Sequence, residues 1–361
     1  MVSAIVLAGG YATRLRPLSL TKPKALLPIL GKPVLDYVIE SLLDLDAEVD
    51  RIYLALRVMA DRIIERYRNV SSKIQFVVED TPLGDAGPLR FISERYPLSD
   101  DVLVVYGDIY SEVNFNDLIK FYFSKNAHTL IVSTTVKDVR RYGVIYQKDG
   151  KLIKLIEKPE SAESNLINAG IYIFKKELFK YIKFPSSISK DFLPTLLREN
   201  YEIIVYEYKG IWADIGLPSD YMLINQILLE LKYPKGFIHP SANVSESVSL
   251  EEPYYIASNA KVSEDTRIRK SIIGSNSKVN KGVNITNSVI MDNVEISNYS
   301  YINGSIIADK CKIGRWNHIL EGSILGEEVY TGDGVVIAEN VMILPYKEVH
   351  SSIIERGKIV L

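Results

Sequence analysis

Two periodicities of apolar and polar residues divide the chain. Up to about residue 231, short apolar runs alternate with amphipathic stretches. Ser3–Ala8, Ile52–Ala55, Ile74–Val78, Val102–Val105 and Thr129–Thr135 are predicted as strands. Val34–Leu45, Met59–Arg68, Ala86–Glu94 and Phe115–Lys125 are predicted as helices. This alternation builds βαβ units, hence a mostly parallel sheet covered by helices on both faces. Such sheets bind ligands beyond the C-terminal ends of their strands.

The second half follows another rule. From Ile238 an apolar residue recurs every six positions: Ile238, Val244, Leu250, Ile256, Val262 and Ile268. The phase slips by one to Ile273, Val279 and Ile285, then to Ile290, Ile296 and Ile302, then to Ile307, Ile313, Ile319 and Leu325. Steps of six continue to Ile337 and Ile343, with Thr331 in one slot. Ser, Asn, Gly and Asp, which favour turns, lie between. A period of six suits neither an α-helix nor an ordinary strand. It predicts a parallel β-helix in which three units close a coil and each apolar residue fills the interior. Pro234, Gly236 and Pro240 mark a hinge. The expected domains are therefore residues 1–231 and 238–361, joined by a linker at 232–237. The open ends of a β-helix are strand edges that need covering, so a homo-oligomer formed through this domain is expected.

Composition narrows the function classes. A chain of 361 residues has room for two domains. Its net charge of −2 gives no global positive field for nucleic acid. Cys311 is the only cysteine, so no disulfide forms within the chain. No apolar run approaches the ~20 residues of a membrane span, and the N-terminus has no signal-like pattern. The expectation is a cytoplasmic protein without nucleic-acid or membrane partners.

Any anion binding must then be local, and one stretch stands out. VLAGGYATRLRPLSLTKPKALLPILGKP runs from Val6 to Pro33, directly after the first strand. Gly9 and Gly10 let backbone N–H groups approach a ligand closely and are free to adopt positive φ. Arg14 offers a planar fork to phosphate oxygens, and Lys24 a compact point charge. Pro17, Pro23, Pro28 and Pro33 stiffen the segment. A basic, proline-braced loop at the ligand edge of an α/β sheet reads as a polyphosphate site.

Polyphosphates travel with a divalent cation, and magnesium takes carboxylates together with phosphate oxygens. Asp108 in VYGDI and Asp214 in WADIG each follow a strand-like run between apolar neighbours. Beside the basic loop they read as a metal pair. Glu157-Lys158-Pro159 and Asn168-Ala169-Gly170 flank two further strand-like runs. Lys158 suits a second phosphate, and Glu157 and Asn168 suit polyol hydroxyls; taken singly, each also reads as ordinary surface chemistry.

In this order these residues resemble the sugar-1-phosphate nucleotidyltransferases, or sugar-nucleotide pyrophosphorylases. Leu7–Pro33 matches that family's first signature nearly throughout. PLGDAGPL (Pro82–Leu89), YGD (Tyr106–Asp108), YGV (Tyr142–Val144), EKP, NAG and WADIGLP (Trp212–Pro218) match further family motifs. The resemblance implies an α/β fold with a Rossmann-like, mostly parallel sheet sandwiched by helices. A C-terminal left-handed parallel β-helix of hexapeptide repeats follows it. PLGDAGPL, together with GRW (Gly314–Trp316) and ILP (Ile343–Pro345), is most similar to the mannose-1-phosphate guanylyltransferase branch.

That resemblance implies transfer of a nucleotidyl group from an NTP, GTP by preference, to a sugar 1-phosphate, mannose 1-phosphate by preference. It implies Mg²⁺ as cofactor, held by Asp108 and Asp214. Arg14 would meet the leaving β- and γ-phosphates, Lys24 the α-phosphate and Lys158 the sugar phosphate. Leu7, Gly9, Gly10 and Gly84 would frame the nucleotide, with Glu79 accepting from guanine; Gly143, Glu157 and Asn168 would contact the sugar. The alternatives are thymidylyl or uridylyl transfer to glucose 1-phosphate, and a non-catalytic regulatory subunit. An acetyl-transferring β-helix would rest on His318. Two residues depart from the pattern. Ala12 replaces a glycine, and its methyl is expected to require φ below zero. Asp85 replaces a threonine, with three open roles: capping the following helix, weakening nucleotide binding or touching the metal.

Overall fold

The computed structural model describes residues 1–45 and 48–361. They form two compact units, Met1–Gly10 with Val34–Asp214, and Tyr11–Pro33 with Ile215–Leu361.

The first unit is built on a nine-stranded sheet. Its order is Ile74–Val78, Val49–Leu56, Val2–Leu7, Asp101–Tyr106, Leu166–Lys175, Thr129–Thr135, Ile203–Glu207, Lys151–Glu157 and Gly143–Lys148. The first four run parallel. Leu166–Lys175 is antiparallel to both neighbours, and Lys151–Glu157 likewise. The remaining strands share one direction, so the sheet is mostly parallel with two reversed strands. The predicted helices form as α1 (Val34–Leu43), α2 (Ala60–Tyr67), α3 (Gly87–Arg95) and α4 (Phe115–Ser124), and a short helix α5 (Leu193–Arg198) follows. Central strands such as Val2–Leu7 and Asp101–Tyr106 are buried along nearly their whole length, as parallel strands covered on both faces must be. Their core includes Ile5, Tyr53, Val104, Tyr172, Phe174 and Phe192. Tyr172 stacks on Phe174 at 5.5 Å, and Phe174 meets Phe192 at 5.2 Å.

The second unit contains the predicted β-helix. Strands in successive coils pair in parallel, and the paired residues are those of the six-residue series. Val244, Val262, Val279, Ile296, Ile313, Thr331 and Val349 stack on one side. Leu250, Ile268, Ile285, Ile302, Ile319 and Ile337 stack on the second, and Ile238, Ile256, Ile273, Ile290, Ile307, Leu325 and Ile343 on the third. Ile268 to Val349 are buried along these rows. Thr331 is tolerated there because its Oγ1 accepts the Gly314 N–H at 3.1 Å. Cys311 also points inside, where burial pushes its thiol up to about 12.

The corners explain the turn residues. Three positions after an apolar residue, the backbone turns left-handed: Asn259, Asn276, Asn293, Lys310, Glu328 and Tyr346 do so on one corner. Asn visits this region at little cost, whereas Lys, Glu and Tyr are held there by the stack. On the next corner Tyr299 and Trp316 are also left-handed, and their rings stack at 6.4 Å with 13° between planes. The slips in period arise on the third corner. Arg267–Ile273 rounds it as one continuous strand with five steps between Ile268 and Ile273, while Ser249–Ile256 takes six and absorbs the extra residue as a bulge after Glu251.

The basic loop, Tyr11–Pro33, lies in this second unit. It is anchored by buried Leu15, Leu18, Ala25, Leu27 and Ile29, while Arg14 and Arg16 stay exposed. Helix α6 (Pro218–Lys232) holds its second half: Tyr221 Oη donates to the Pro28 carbonyl at 2.6 Å, and Asn225 Oδ1 accepts Leu30 N–H at 3.0 Å. Ala12 has φ 47° and ψ 42°, so the expectation of φ below zero is wrong. Neither Gly9 nor Gly10 is left-handed; Ala12 carries that turn instead. Its carbonyl is fixed by Ser19 Oγ at 2.7 Å.

Among the described residues, no helix is long and apolar enough to cross a membrane.

Two substitutions test this account with opposite signs. Ile285→Ala, in a fully buried row, should lower unfolding free energy by about 2–5 kcal/mol. Ala12→Gly should raise it by about 1 kcal/mol by relieving the left-handed alanine. Denaturant titration of each variant against the parent measures both.

Candidate active site

The first unit gathers two groups of expected site residues. Asp108 follows the strand Asp101–Tyr106 by two residues. Gly107 between them has no room for a side chain: a Cβ would lie 2.9 Å from Val6 Cγ1 and 3.0 Å from Leu35 Cδ1. The chain then enters the short strand Ile109–Ser111, which pairs antiparallel with Trp212–Asp214. Asp214 is the register partner of Ile109, so the backbones of Asp108 and Asp214 lie one residue out of register at the end of this pair, and both residues are half-buried. Among the described residues no group of three or more His, Cys, Asp or Glu is placed to hold a metal.

The second group sits on neighbouring strands. Glu157 pairs with Gly143, and Ile167 with Val144, bringing Asn168 beside them. A Cβ on Gly143 would stand 2.9 Å from Glu157 Oε2 and 3.6 Å from Asn168 Cβ. Lys158 Nζ lies 3.7 Å from Glu157 Oε1. Lys158 is left-handed at φ 48° although proline follows it, a strained geometry of the kind that gathers at functional sites. Burial raises the Glu157 carboxyl above its ordinary range, against the opposing charges of Lys158 and Lys190.

Beneath these residues runs a polar network that motif reading alone passed over. Asn168 Nδ2 donates to Tyr172 Oη at 2.6 Å and to Ser189 Oγ at 3.0 Å, and its Oδ1 accepts Gly170 N–H at 3.0 Å. Gly170 has φ +74°, and the Tyr106 ring closes over it at 2.8 Å from a Cβ position. Trp212 Nε1 donates to the Ala169 carbonyl at 2.9 Å, tying the Asp214 strand to the Asn168 motif. Two of these partners, Tyr106 and Trp212, stand inside the YGD and WADIGLP motifs. Tyr172 and Ser189 carry no comparable signal.

Asp85 has a role outside the three expected. It does not cap α3, whose N-terminus has no side-chain cap. Its Oδ2 accepts from Tyr106 Oη at 2.6 Å and its Oδ1 from Ile188 N–H at 2.8 Å, which fixes the turn Ile188–Phe192. Burial, with Tyr172 and Asp85 adding, raises the Tyr106 phenol well above its usual value, so it stays a donor. Gly84 is indispensable here: it has φ +78°, and a Cβ would stand 2.1 Å from the Ser186 carbonyl oxygen.

On the expected nucleotide side, the Leu7 carbonyl accepts Gly107 N–H at 2.9 Å, so the first strand's end and the Asp108 turn are joined. A Cβ on Gly9 would press on Arg57 at 3.2 Å, whereas Gly10 faces open space. Glu79 is half-buried and its Oε2 accepts Leu83 N–H at 3.4 Å. Burial raises its carboxyl, and Leu83 N–H and Arg57 oppose that. Arg14 and Lys24 belong to the loop of the second unit, Arg14 exposed and Lys24 half-buried. His318 is exposed on the coil beside Tyr301, with ring centroids 5.8 Å apart.

Comparison with known proteins places these features in a family. Residues 3–230 match the family model described as nucleotidyl transferase, and residues 250–360 match a model described as GMPPB C-terminal domain. A Sulfolobus acidocaldarius protein whose provisional name is mannose-1-phosphate guanyltransferase is 58% identical over 275 residues, covering 76% of each chain. The mannose-1-phosphate guanyltransferase of Yarrowia lipolytica is 35% identical, over 74% of this chain and 73% of its own. The crystal structure of HddC from Yersinia pseudotuberculosis complexed with GMP-PN is 31% identical, with a TM-score of 0.53, covering 63% of this chain and 100% of that one. The chain is a transferase and belongs to the nucleotidyl transferase family.

Proposed function

We propose that the chain joins GTP and mannose 1-phosphate into GDP-mannose and pyrophosphate. The observation that carries this reading is the strand pairing that sets Asp108 beside Asp214, in a family of nucleotidyl transferases whose similar members include named mannose-1-phosphate guanyltransferases. The guanine preference is further supported by the HddC structure, solved with GMP-PN.

In this reading a phosphate oxygen of mannose 1-phosphate attacks the α-phosphorus of GTP in line. The new bond is the sugar-phosphate O–Pα bond; the bond from Pα to the bridging oxygen breaks, and pyrophosphate leaves with that electron pair. The nucleophile is already an anion, so no general base is required, and rate comes from positioning and charge stabilisation. Arg14 meets the β- and γ-phosphates as they leave, and Lys24 balances charge at the α-phosphate. Lys158 holds the sugar phosphate, while Glu157, Asn168 and the Gly143 backbone receive the sugar hydroxyls. Leu7, Gly9, Gly10 and Gly84 frame the nucleotide, and Glu79 accepts from the guanine edge.

Asp108 and Asp214 fit Mg²⁺: both are hard oxygen donors, and magnesium uses one or two carboxylates with phosphate oxygens and water. When bound, the ion would lower the cost of charge developing on the phosphates. Ala12 supports a catalytic rather than a regulatory chain. It adopts the left-handed conformation that glycine takes most readily, so the substitution leaves the loop's turn in place. The proposed domains are residues 1–231 and 238–361, with an oligomer built through the latter and a cytoplasmic location.

Asp108→Asn should reduce turnover by about 10²-fold or more in magnesium while changing stability by less than about 1 kcal/mol. Near-normal activity would sink the metal assignment. A matrix of four NTPs against mannose and glucose 1-phosphates, read as kcat/KM from pyrophosphate release, should peak at GTP with mannose 1-phosphate. A peak at a pyrimidine nucleotide with glucose 1-phosphate would replace that substrate pair, and no turnover with any pair would favour the regulatory reading.

A further inference from the structure

The second unit holds an interaction that the reaction does not by itself explain. Two residues after each apolar residue of the third side, just before the left-handed corner, successive coils carry Ser275, Asp292, Asp309 and Glu327. The rungs are linked: Asp292 Oδ1 accepts Ser275 N–H at 2.7 Å, and Asp309 Oδ1 accepts Asp292 N–H at 3.0 Å. Asp309 is only 7% exposed. Burial raises the Asp292 carboxyl, Asp309 adds to this, and the Ser275 N–H and Lys22 oppose it.

The basic loop lies on this ladder. Lys22 Nζ forms an ion pair with Asp309 Oδ2, and Thr21 hydrogen-bonds Glu327, which also accepts from Lys310 Nζ at 2.9 Å. The second oxygen of Asp309 is thus occupied by the loop, and the first by the preceding coil. Lys22 stands two residues before Lys24 and in the same braced segment as Arg14. A buried carboxylate that lost its cation would be left uncompensated, so the pair holds the loop in one place. Positioning errors of about 1 Å at reacting groups can cost 10²-fold in rate.

We propose that Asp309, through Lys22, is a positioning residue for the nucleotide-binding loop, so that the β-helix sets the geometry of Arg14 and Lys24. This rests on the proposed roles of those two residues. It concerns nucleotide binding and leaves the sugar subsite of the first unit untouched.

The test compares Asp309→Asn, Lys22→Met and the double variant with the full-length parent. Ile296→Val serves as a control that loosens the same coil stack without touching the ladder. We expect Asp309→Asn and Lys22→Met each to raise the KM for GTP about tenfold while the KM for mannose 1-phosphate stays within about twofold. The double variant should be no worse than either single one, because the pair acts as a unit. Additive effects, equal rises in both KM values, or the same GTP effect from Ile296→Val would overturn the proposal. Lys22→Met removes a partly exposed side chain and keeps the test open if Asp309→Asn does not fold. Calorimetric binding of GTP without sugar separates the two readings. Weaker GTP binding in the pair variants of a parent that forms no GDP-mannose would uphold the positioning role and overturn the proposed reaction. Unchanged GTP binding in the variants of an active parent would do the reverse.

Discussion

A protein places two aspartates near one another by fixing both of their backbones. Here two strands of three residues each do this, with Asp214 opposite Ile109 and Asp108 one residue earlier. Gly107 lets the turn press against Val6 and Leu35, and the Leu7 carbonyl ties that turn to the first strand. Trp212 then extends the same constraint to Asn168 through the Ala169 carbonyl. The strand that carries Asp214 and the Asn168 motif are therefore parts of one hydrogen-bonded frame, and a disturbance at either end should be felt at the other.

The second unit solves a different problem, that of holding a loop rich in like charges. Arg14, Arg16, Lys22 and Lys24 would drive a free segment apart. Buried leucines anchor it, α6 fixes two of its backbone groups, and Lys22 is neutralised on the coil. Arg14 and Arg16 remain exposed on the same loop. The left-handed Ala12 fits this picture: strain of roughly 1–2 kcal/mol is affordable where surrounding contacts over-determine the backbone.

Much of this was legible in the sequence because its signals are local. The six-residue series marks every inward row of the β-helix, and each slip marks a coil that rounds one corner in five steps instead of six. Predicted strands and helices of the first unit fall within a few residues of those observed. What escaped was non-local. Nothing near Leu166–Lys175 or Lys151–Glu157 announces that they run against the sheet, because direction is set by distant partners. Capping the helix that follows was one of three roles open to Asp85, but its partners, Tyr106 and Ile188, are 21 and 103 residues away. The φ of Ala12 was expected from the intrinsic preference of alanine, and tertiary packing overrode that preference.

The coil spacing has a consequence for how such a protein can change in length. Neighbouring coils are separated by about 4.8 Å, and Lys22 meets one particular coil. Removing a whole coil between the hinge and Asp309 would preserve every apolar row yet displace the acid by a full step from its cation. Adding or losing coils beyond Glu327 would leave that meeting point where it is. The stack thus behaves as a ruler with a fixed lower scale and an adjustable upper end, and variation in length among related chains should concentrate above the loop's attachment.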